Sequence, residues 1–142
     1  MTPKDFKKID NFDQEEIENT GANIKDVQLE LLLRYDNYRK LLGRRVYFLR
    51  NGLTTGSHDS ETHYLGLAGD SCLDPRDGPI DGNLCFKCAL EVGFKGYGVY
   101  YNGIAYSFHL DCRQNYGFWT GVPDGKGSWN FGTLIVDPKN LI

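Results

Sequence analysis

The sequence is poor in histidine and methionine and has no long apolar run. Its 142 residues include three histidines and one methionine, so any histidine-based site must draw on those three. No segment approaches the roughly 20 apolar residues that a membrane-spanning helix needs. Sixteen Lys and Arg against nineteen Asp and Glu give a net charge of -3, which provides no basic field for nucleic acid. We therefore expect neither a membrane nor a nucleic-acid partner.

The N-terminus also lacks the features of a secretory signal. Residues 1–13 are polar and mixed in charge, without an apolar core or a small-residue cleavage site. We therefore expect the protein to accumulate in the cytoplasm of the cell that makes it. In that compartment cysteines stay as thiols or bind metal, whereas a secreted protein would pair them as disulfides. The chain has four of them, Cys72, Cys85, Cys88 and Cys112.

The rest of the composition is that of one globular domain. Hydrophobic residues make up 40% of the chain and charged residues 25%, close to the averages for soluble domains. The length suits a single domain over residues 1–142, which we expect to be monomeric.

Periodicity and turn signals predict a mixture of helix and antiparallel strand, an α+β fold class. Helices are predicted over residues 14–19, 24–42 and 83–92. Strands are predicted over residues 46–49, 98–101 and 107–111, the last two joined as a hairpin by a turn at Asn102-Gly103. Residues 51–83 are predicted to be loop and irregular structure, and residues 117–132 loop and edge strand.

Two of the three histidines are followed by aspartates at spacings that suit a metal site. His63 and Asp70 are seven positions apart, and His109 precedes Asp111 by two. A catalytic zinc ion takes three protein ligands and leaves a fourth position for water, and His63, Asp70 and His109 supply that set. Because side chains alternate along a strand, His109 and Asp111 share a face. One can bind metal while the other acts on the water or orients a ligand.

The hypothesis of a metal site rests on the spacing of the motif residues and not on any single histidine. A histidine in a tyrosine-rich segment is by itself more often a buried, hydrogen-bonded residue than a ligand. Residues 63–70, however, match H-x-x-G-x-A-x-D, which average composition would produce in about one in a thousand chains of this length. Within this motif, Gly66 and Ala68 would let the backbone run close beneath a metal ion.

Two motifs of the chain resemble those of the zinc D-Ala-D-Ala carboxypeptidase family, peptidoglycan peptidases that share a fold with hedgehog signalling domains. H-x-x-G-x-A-x-D is similar to the first zinc motif of the family. Residues 93–101, followed by F-H-L-D-C-R at 108–113, resemble its G-x-G-x-Y strand and H-x-D-x-R. The resemblance covers roughly residues 24–120. It implies a small antiparallel sheet flanked by helices, with His63, Asp70 and His109 as zinc ligands on the open face.

The chain departs from the family pattern at two places. Members usually carry an arginine in an upstream S-G-Y-R segment, where this chain has N-G-L-T-T at residues 51–55. Arg50 and Arg113 are the candidates to replace that arginine. Many members also place the catalytic carboxylate three residues before the last zinc histidine, where this chain has Tyr106. Asp111 is therefore the predicted general base.

The resemblance implies zinc-dependent hydrolysis of peptide bonds in peptidoglycan stem peptides, by a carboxypeptidase or an endopeptidase. The predicted substrate-binding residues are Arg113, Tyr106 and Trp119, and Tyr100 and Tyr101 are further aromatic candidates for the groove. A wall peptidase without a signal suits a phage endolysin released to the cell wall, a virion component, or a cytoplasmic enzyme that recycles wall peptides.

Other interpretations remain open. Cys85-Phe-Lys-Cys88, completed by Cys72 and Cys112, could form a structural zinc site. Cys112 as a protease nucleophile is a weaker alternative because it would face away from the predicted site. The main rival is a catalytically inactive zinc-binding structural or wall-binding protein of the same fold, which the missing arginine favours. His58, the third histidine, is expected to be a solvated loop residue.

Overall fold

The computed structural model describes residues 1–55 and 60–134, and shows an α+β fold built on one six-stranded sheet. His58 and Pro138 lie outside the described residues. The helices are α1 (Gln14–Asn19), α2 (Leu29–Leu42), α3 (Glu61–Tyr64) and α4 (Gly82–Glu91). The strands are β1 (Tyr47–Phe48), β2 (Ala68–Cys72), β3 (Gly96–Tyr101), β4 (Tyr106–Asp111), β5 (Gly117–Pro123) and β6 (Trp129–Thr133). Their order across the sheet is β1-β2-β4-β3-β5-β6.

The sheet is mixed, so the prediction of a purely antiparallel sheet is wrong. β3 pairs with β4 antiparallel on one side and with β5 parallel on the other. The connection over residues 112–116 passes the end of β3, and β5 therefore joins the sheet on the far side of β3 from β4. β6 then pairs antiparallel with β5 and forms the edge.

Helices α2 and α4 cover one face of the sheet and form the core with it. Tyr35 of α2 is fully buried, and its hydroxyl donates to the carbonyl of Gly69 on β2 at 2.8 Å. Phe86 of α4 packs edge-on against Tyr97 and Phe118, with ring centroids 5.0 and 5.1 Å apart. This aromatic layer fixes the helices on β2, β3 and β5 and leaves the opposite face of the sheet open.

Several predicted boundaries change. The helix predicted over 24–42 is a 3-10 turn at Ile24–Asp26 followed by α2, because the Gln28 amide donates to the Gly66 carbonyl at 3.0 Å and keeps that residue extended. The segment predicted to be irregular contains both α3 and the internal strand β2. The predicted helix at 14–19 is confirmed, with the Asp13 side chain accepting from the Glu16 amide at 2.7 Å.

Two glycines of β3 shape the open face. A Cβ on Gly96 would overlap the carboxylate of Asp111, and a Cβ on Gly98 would come within 2.5 Å of the Trp119 ring. The absence of a side chain at both glycines therefore leaves the space over β3 that the Asp111 carboxylate and the Trp119 ring occupy.

Within the described residues, no helix has both the length and the apolar character needed to cross a lipid bilayer.

Candidate metal centre

Three side chains converge on the open face and form a group that could hold a metal ion: His63, Asp70 and His109. The His109 Nδ1 atom lies 3.2 Å from His63 Nε2 and 3.1 Å from Asp70 Oδ1, and His63 Nε2 lies 3.4 Å from the same oxygen. A tetrahedral ion with bonds of about 2.0–2.1 Å needs ligand atoms about 3.3 Å apart. The three atoms therefore fit one triangular face of such a coordination shell.

The sheet itself places two of the three side chains. Asp70 on β2 and His109 on β4 are direct partners in the antiparallel register, so their side chains emerge side by side on one face. Both strands are internal to the sheet, which limits their movement. The backbone thus sets the separation of these two candidate ligands.

His63 reaches the group from the short helix α3, outside the sheet. Gly66 ends this turn with a left-handed φ of +70°, its amide donating to the His63 carbonyl at 3.0 Å. A Cβ there would collide with the Asp26 carbonyl. The interpretation of Gly66 as clearance beneath the metal is therefore wrong, since this glycine instead closes the turn that carries His63.

Asp111 fixes the orientation of His109. His109 Nε2 donates to Asp111 Oδ2 at 2.7 Å, because a carboxylate can only accept, and this leaves Nδ1 as the ring nitrogen that faces His63 and Asp70 and that would bind a metal ion. Arg113 holds Asp111 in turn, with Nε donating to Oδ1 at 2.8 Å and Nη2 to Oδ2 at 2.5 Å. The chain Arg113–Asp111–His109 is the carboxylate–histidine arrangement that supports many metal ligands.

These contacts also set the charge of the two carboxylates. Burial alone raises the pKa of Asp70, but hydrogen bonds with His109 and His63 outweigh it and hold the pKa well below the usual range. Burial likewise raises the pKa of Asp111, and the hydrogen bonds from Arg113 and His109 reverse the shift. Both groups are therefore anionic at neutral pH, the form that binds or supports a cation.

The three candidate ligands open onto a cavity of about 470 Å³. Its other lining residues are four aromatic side chains, three polar ones and one leucine: Tyr100, Trp119, Trp129, Phe131, Ser60, Ser107, Arg113 and Leu49. Arg113 and Trp119, both predicted to bind substrate, stand together here, with the guanidinium 4.8 Å from the indole centroid. The Trp119 ring in turn lies 5.2 Å from that of His109.

Three other residues that the sequence analysis assigned to the site do not line the cavity. Asp111 is fully buried beside His109 and does not line the cavity, a position that does not favour its predicted role as general base. Tyr106 stacks on Tyr101 at the exposed end of the hairpin, with centroids 4.6 Å apart, outside the cavity. Arg50 lines a different surface depression, beside Glu16.

The cysteine alternative is wrong. All four cysteines are free thiols, and in the part of the chain that the structure describes no group of them comes close enough to hold a metal ion. Cys112 packs against the core, and burial raises the pKa of its thiol to about 12. A thiol with such a pKa is not a nucleophile at neutral pH.

Trp129 and Phe131 are cavity residues that the sequence analysis missed. They alternate with Asn130 on the edge strand β6, and each packs edge-on against Tyr100, with centroids 5.0 and 6.4 Å away. Their period-two spacing was the available signal. The prediction of loop and edge strand over residues 117–132 did not locate the strands, so the faces of β6 were not separated.

Comparisons of the chain with protein families, with curated proteins and with solved structures find no match.

Proposed function

We propose that this chain is a zinc-dependent peptidase that hydrolyses the stem peptides of peptidoglycan. The observation that carries the proposal is the triangle of His63 Nε2, Asp70 Oδ1 and His109 Nδ1 at the floor of an open cavity. Two imidazoles and one carboxylate are a donor set typical of catalytic zinc, which keeps one coordination position for water or substrate. We propose that zinc is the resident metal.

We further propose that the fold is of the hedgehog/D,D-peptidase type. Support comes from the order of the elements: helix α2, then strand β1, then the motif that contains His63 and Asp70, then the hairpin that ends at His109. The G-x-G pair of β3 supports it as well, because Gly96 and Gly98 accommodate the side chains around the candidate ligands.

The remaining residues have separate tasks around the metal. When bound, zinc supplies Lewis-acid polarisation of the scissile carbonyl and a water molecule of lowered pKa. Asp111 holds the His109 ring in the tautomer that leaves Nδ1 free to bind. Arg113 uses Nε and Nη2 on Asp111, while its Nη1 has no acceptor among the described residues. That nitrogen is the group we propose for the free carboxylate of a stem peptide.

A second candidate function is zinc binding without hydrolysis, in a wall-binding or structural protein of the same fold. One observation favours it: among the described residues, Asp70 is the only carboxylate that lines the cavity. A hydrolase needs a group that accepts the proton of the attacking water, and the metal-ligating oxygen of Asp70 is already committed. Zinc binding and turnover therefore require separate tests.

Zinc content tests the metal site. We expect protein made without chelator to contain about one zinc per chain, and His63→Ala to lose it. Cys85→Ser is the matched control, since it alters a metal-ligating residue type in the core on α4. Zinc that survives His63→Ala would contradict the proposed site.

Digestion of purified cell wall tests turnover. We expect the zinc-loaded protein to release new amine termini from isolated peptidoglycan, and His63→Ala to release none. Full zinc occupancy without new termini on any wall type would contradict the peptidase and favour the binding protein.

A further inference from the structure

Tyr100 lies in the cavity with its hydroxyl pointing along the open face of the sheet. It is the last residue of the G-x-G-x-Y stretch on β3, and it faces Gly121 of β5 in the parallel register. A Cβ on Gly121 would come within 2.5 Å of the Tyr100 ring. The ring therefore lies over the glycine, half-buried, and its hydroxyl stays beside Trp119.

The hydrogen bond between Trp119 and Tyr100 has only one possible direction. Trp119 Nε1 lies 2.7 Å from the Tyr100 hydroxyl oxygen, and an indole N–H can only donate. The Tyr100 oxygen is consequently the acceptor, and its own proton must point elsewhere. Within residues 1–55 and 60–134 that proton has no acceptor. Such a donor at the wall of a cavity is available to a ligand oxygen.

Tyr100 lines the same cavity as the three candidate metal ligands. The Trp119 ring that donates to the Tyr100 hydroxyl packs 5.2 Å from the His109 ring. Burial raises the pKa of Tyr100, the bond from Trp119 partly offsets this, and the negative charge of Asp70 raises it further. Tyr100 thus keeps its proton at neutral pH.

We propose that Tyr100 is a catalytic residue whose hydroxyl donates a hydrogen bond to the carbonyl oxygen of the scissile amide as that oxygen gains negative charge. This inference rests on the proposed peptidase function. Members of the family that the chain resembles carry an arginine that helps hold the substrate carbonyl or carboxylate, and this chain has threonines at that point. Tyr100 supplies a donor from strand β3.

The step balances without any proton leaving Tyr100. The oxygen of water bonds to the carbonyl carbon, the carbon–nitrogen bond breaks, and a proton from the water goes to the leaving amine. Tyr100 stabilises the charge on the carbonyl oxygen by a hydrogen bond alone, as donors of an oxyanion hole do. Trp119 is a positioning residue in this scheme, because its N–H occupies the lone pair of Tyr100 and directs the hydroxyl proton outward.

Binding of a dipeptide phosphinate, an alanyl-alanine analogue with a tetrahedral anionic centre, tests the donor without requiring turnover. We expect calorimetry on zinc-loaded protein to show about 100-fold weaker binding for Tyr100→Phe, because loss of one oxyanion-hole donor lowers kcat by about that factor and a tetrahedral analogue binds through the same donor. Zinc content should be unchanged. Tyr101→Phe is the matched control, because that hydroxyl donates to the Gly103 carbonyl on the exposed side of the strand.

A double-mutant cycle tests the positioning role of Trp119. We expect Trp119→Phe to weaken phosphinate binding less than Tyr100→Phe. The double variant should bind no more weakly than Tyr100→Phe alone, because Trp119 acts only by orienting the Tyr100 hydroxyl. Additive losses would mean that Trp119 acts only by packing, and would contradict its positioning role.

The outcomes separate this inference from the proposed function. Equal phosphinate affinity in wild type and Tyr100→Phe, or no binding by the zinc-loaded wild type, would overturn the role of Tyr100. A weakened Tyr100→Phe variant together with undigested cell wall would support the hydrogen bond and contradict the peptidase.

Discussion

Asp36 and Asp111 are both buried aspartates, yet they are held by different kinds of partner. Asp36 on α2 accepts from the backbone amides of Asp10 and Asn11 at 3.1 and 2.9 Å, and from the Asn11 side chain at 2.9 Å. Asp111 on β4 is held at its shortest contacts by two ionisable side chains, His109 and Arg113, with the Arg113 amide and the Thr62 hydroxyl as further donors at 3.1 and 3.3 Å. The first carboxylate ties the N-terminal segment to a helix, whereas the second orients a candidate metal ligand.

This difference indicates what each buried charge is for. A carboxylate satisfied by main-chain amides fixes the path of the chain, and its loss should appear in stability. One satisfied by imidazole and guanidinium fixes the direction of side chains, and its loss should appear in ligand binding. Substitution by asparagine at each position, which preserves size and shape, tests the distinction.

The largest effect is expected for Asp36→Asn. The amide NH2 would face backbone donors instead of accepting from them, and we expect the free energy of unfolding to fall by about 3 kcal/mol, the cost of unsatisfied buried partners. Urea denaturation followed by circular dichroism measures this. Zinc affinity, measured well below the unfolding transition, should stay within twofold of wild type. If Asp36→Asn weakened zinc binding as much as Asp111→Asn does, the proposed difference between the two aspartates would be contradicted.

The stability difference at Asp36 should depend on pH. Burial alone raises the pKa of Asp36, but its hydrogen bonds with Asp10, Asn11 and Lys40 lower it overall, below the unfolded value of about 3.9. The stabilisation is therefore complete above that value and is lost as the pH falls through the folded-state pKa. We expect the gap between wild type and Asp36→Asn to narrow below about pH 4, and a gap independent of pH would contradict the ionic origin.

Asp111→Asn should act mainly on the metal site. An asparagine amide can present its NH2 to His109 and favour the wrong tautomer, and loss of such a supporting carboxylate typically costs 10–100-fold in metal affinity, about 1.4–2.8 kcal/mol. Competition with a zinc indicator measures it, with Asp36→Asn as control. Unchanged affinity would show that the His109 tautomer is set by other contacts.

The smallest effect is expected for Lys40→Met. Lys40 Nζ lies 2.6 Å from Asp10 and 3.2 Å from Asp36, but its side chain is 46% exposed. Ion pairs with an exposed partner contribute little to stability, so Lys40→Met should lower the free energy of unfolding far less than Asp36→Asn does. Lys87→Met, at an exposed position of α4, is the control for the effect on stability of replacing a surface lysine by methionine. A loss as large as that of Asp36→Asn would mean that the ion pair, not the backbone amides, carries the stability.

The elements with strong local signals were predictable. α2 has an apolar stripe and ends at Gly43, whose φ of +68° is the left-handed cap expected of glycine. β2, with the sequence A-G-D-S-C, has no β-branched or aromatic residue. Its strand conformation comes from pairing with β1 and β4 and from the Tyr35 hydroxyl on Gly69, which are long-range contacts that no local pattern contains.

The candidate site likewise has a part that local sequence patterns predict and a part that depends on long-range contacts. Motif spacing predicted His63, Asp70 and His109 because the chemistry of a ligand set is visible in residue types. The role of Asp111 depends on which imidazole nitrogen it contacts, and that is decided by strand geometry. The aromatic side of the cavity depends on β5 running parallel to β3, which places Trp129 and Phe131 of β6 beside Tyr100.

The glycines of β3 reverse the usual meaning of an alanine scan on this face. At most positions alanine removes atoms, so a scan reports what a side chain contributes. At Gly96 and Gly98 alanine adds a methyl group into space already filled by the Asp111 carboxylate and the Trp119 ring. A survey that skips glycines as having nothing to delete would pass over positions where one added carbon atom displaces a side chain that contacts the candidate ligand His109.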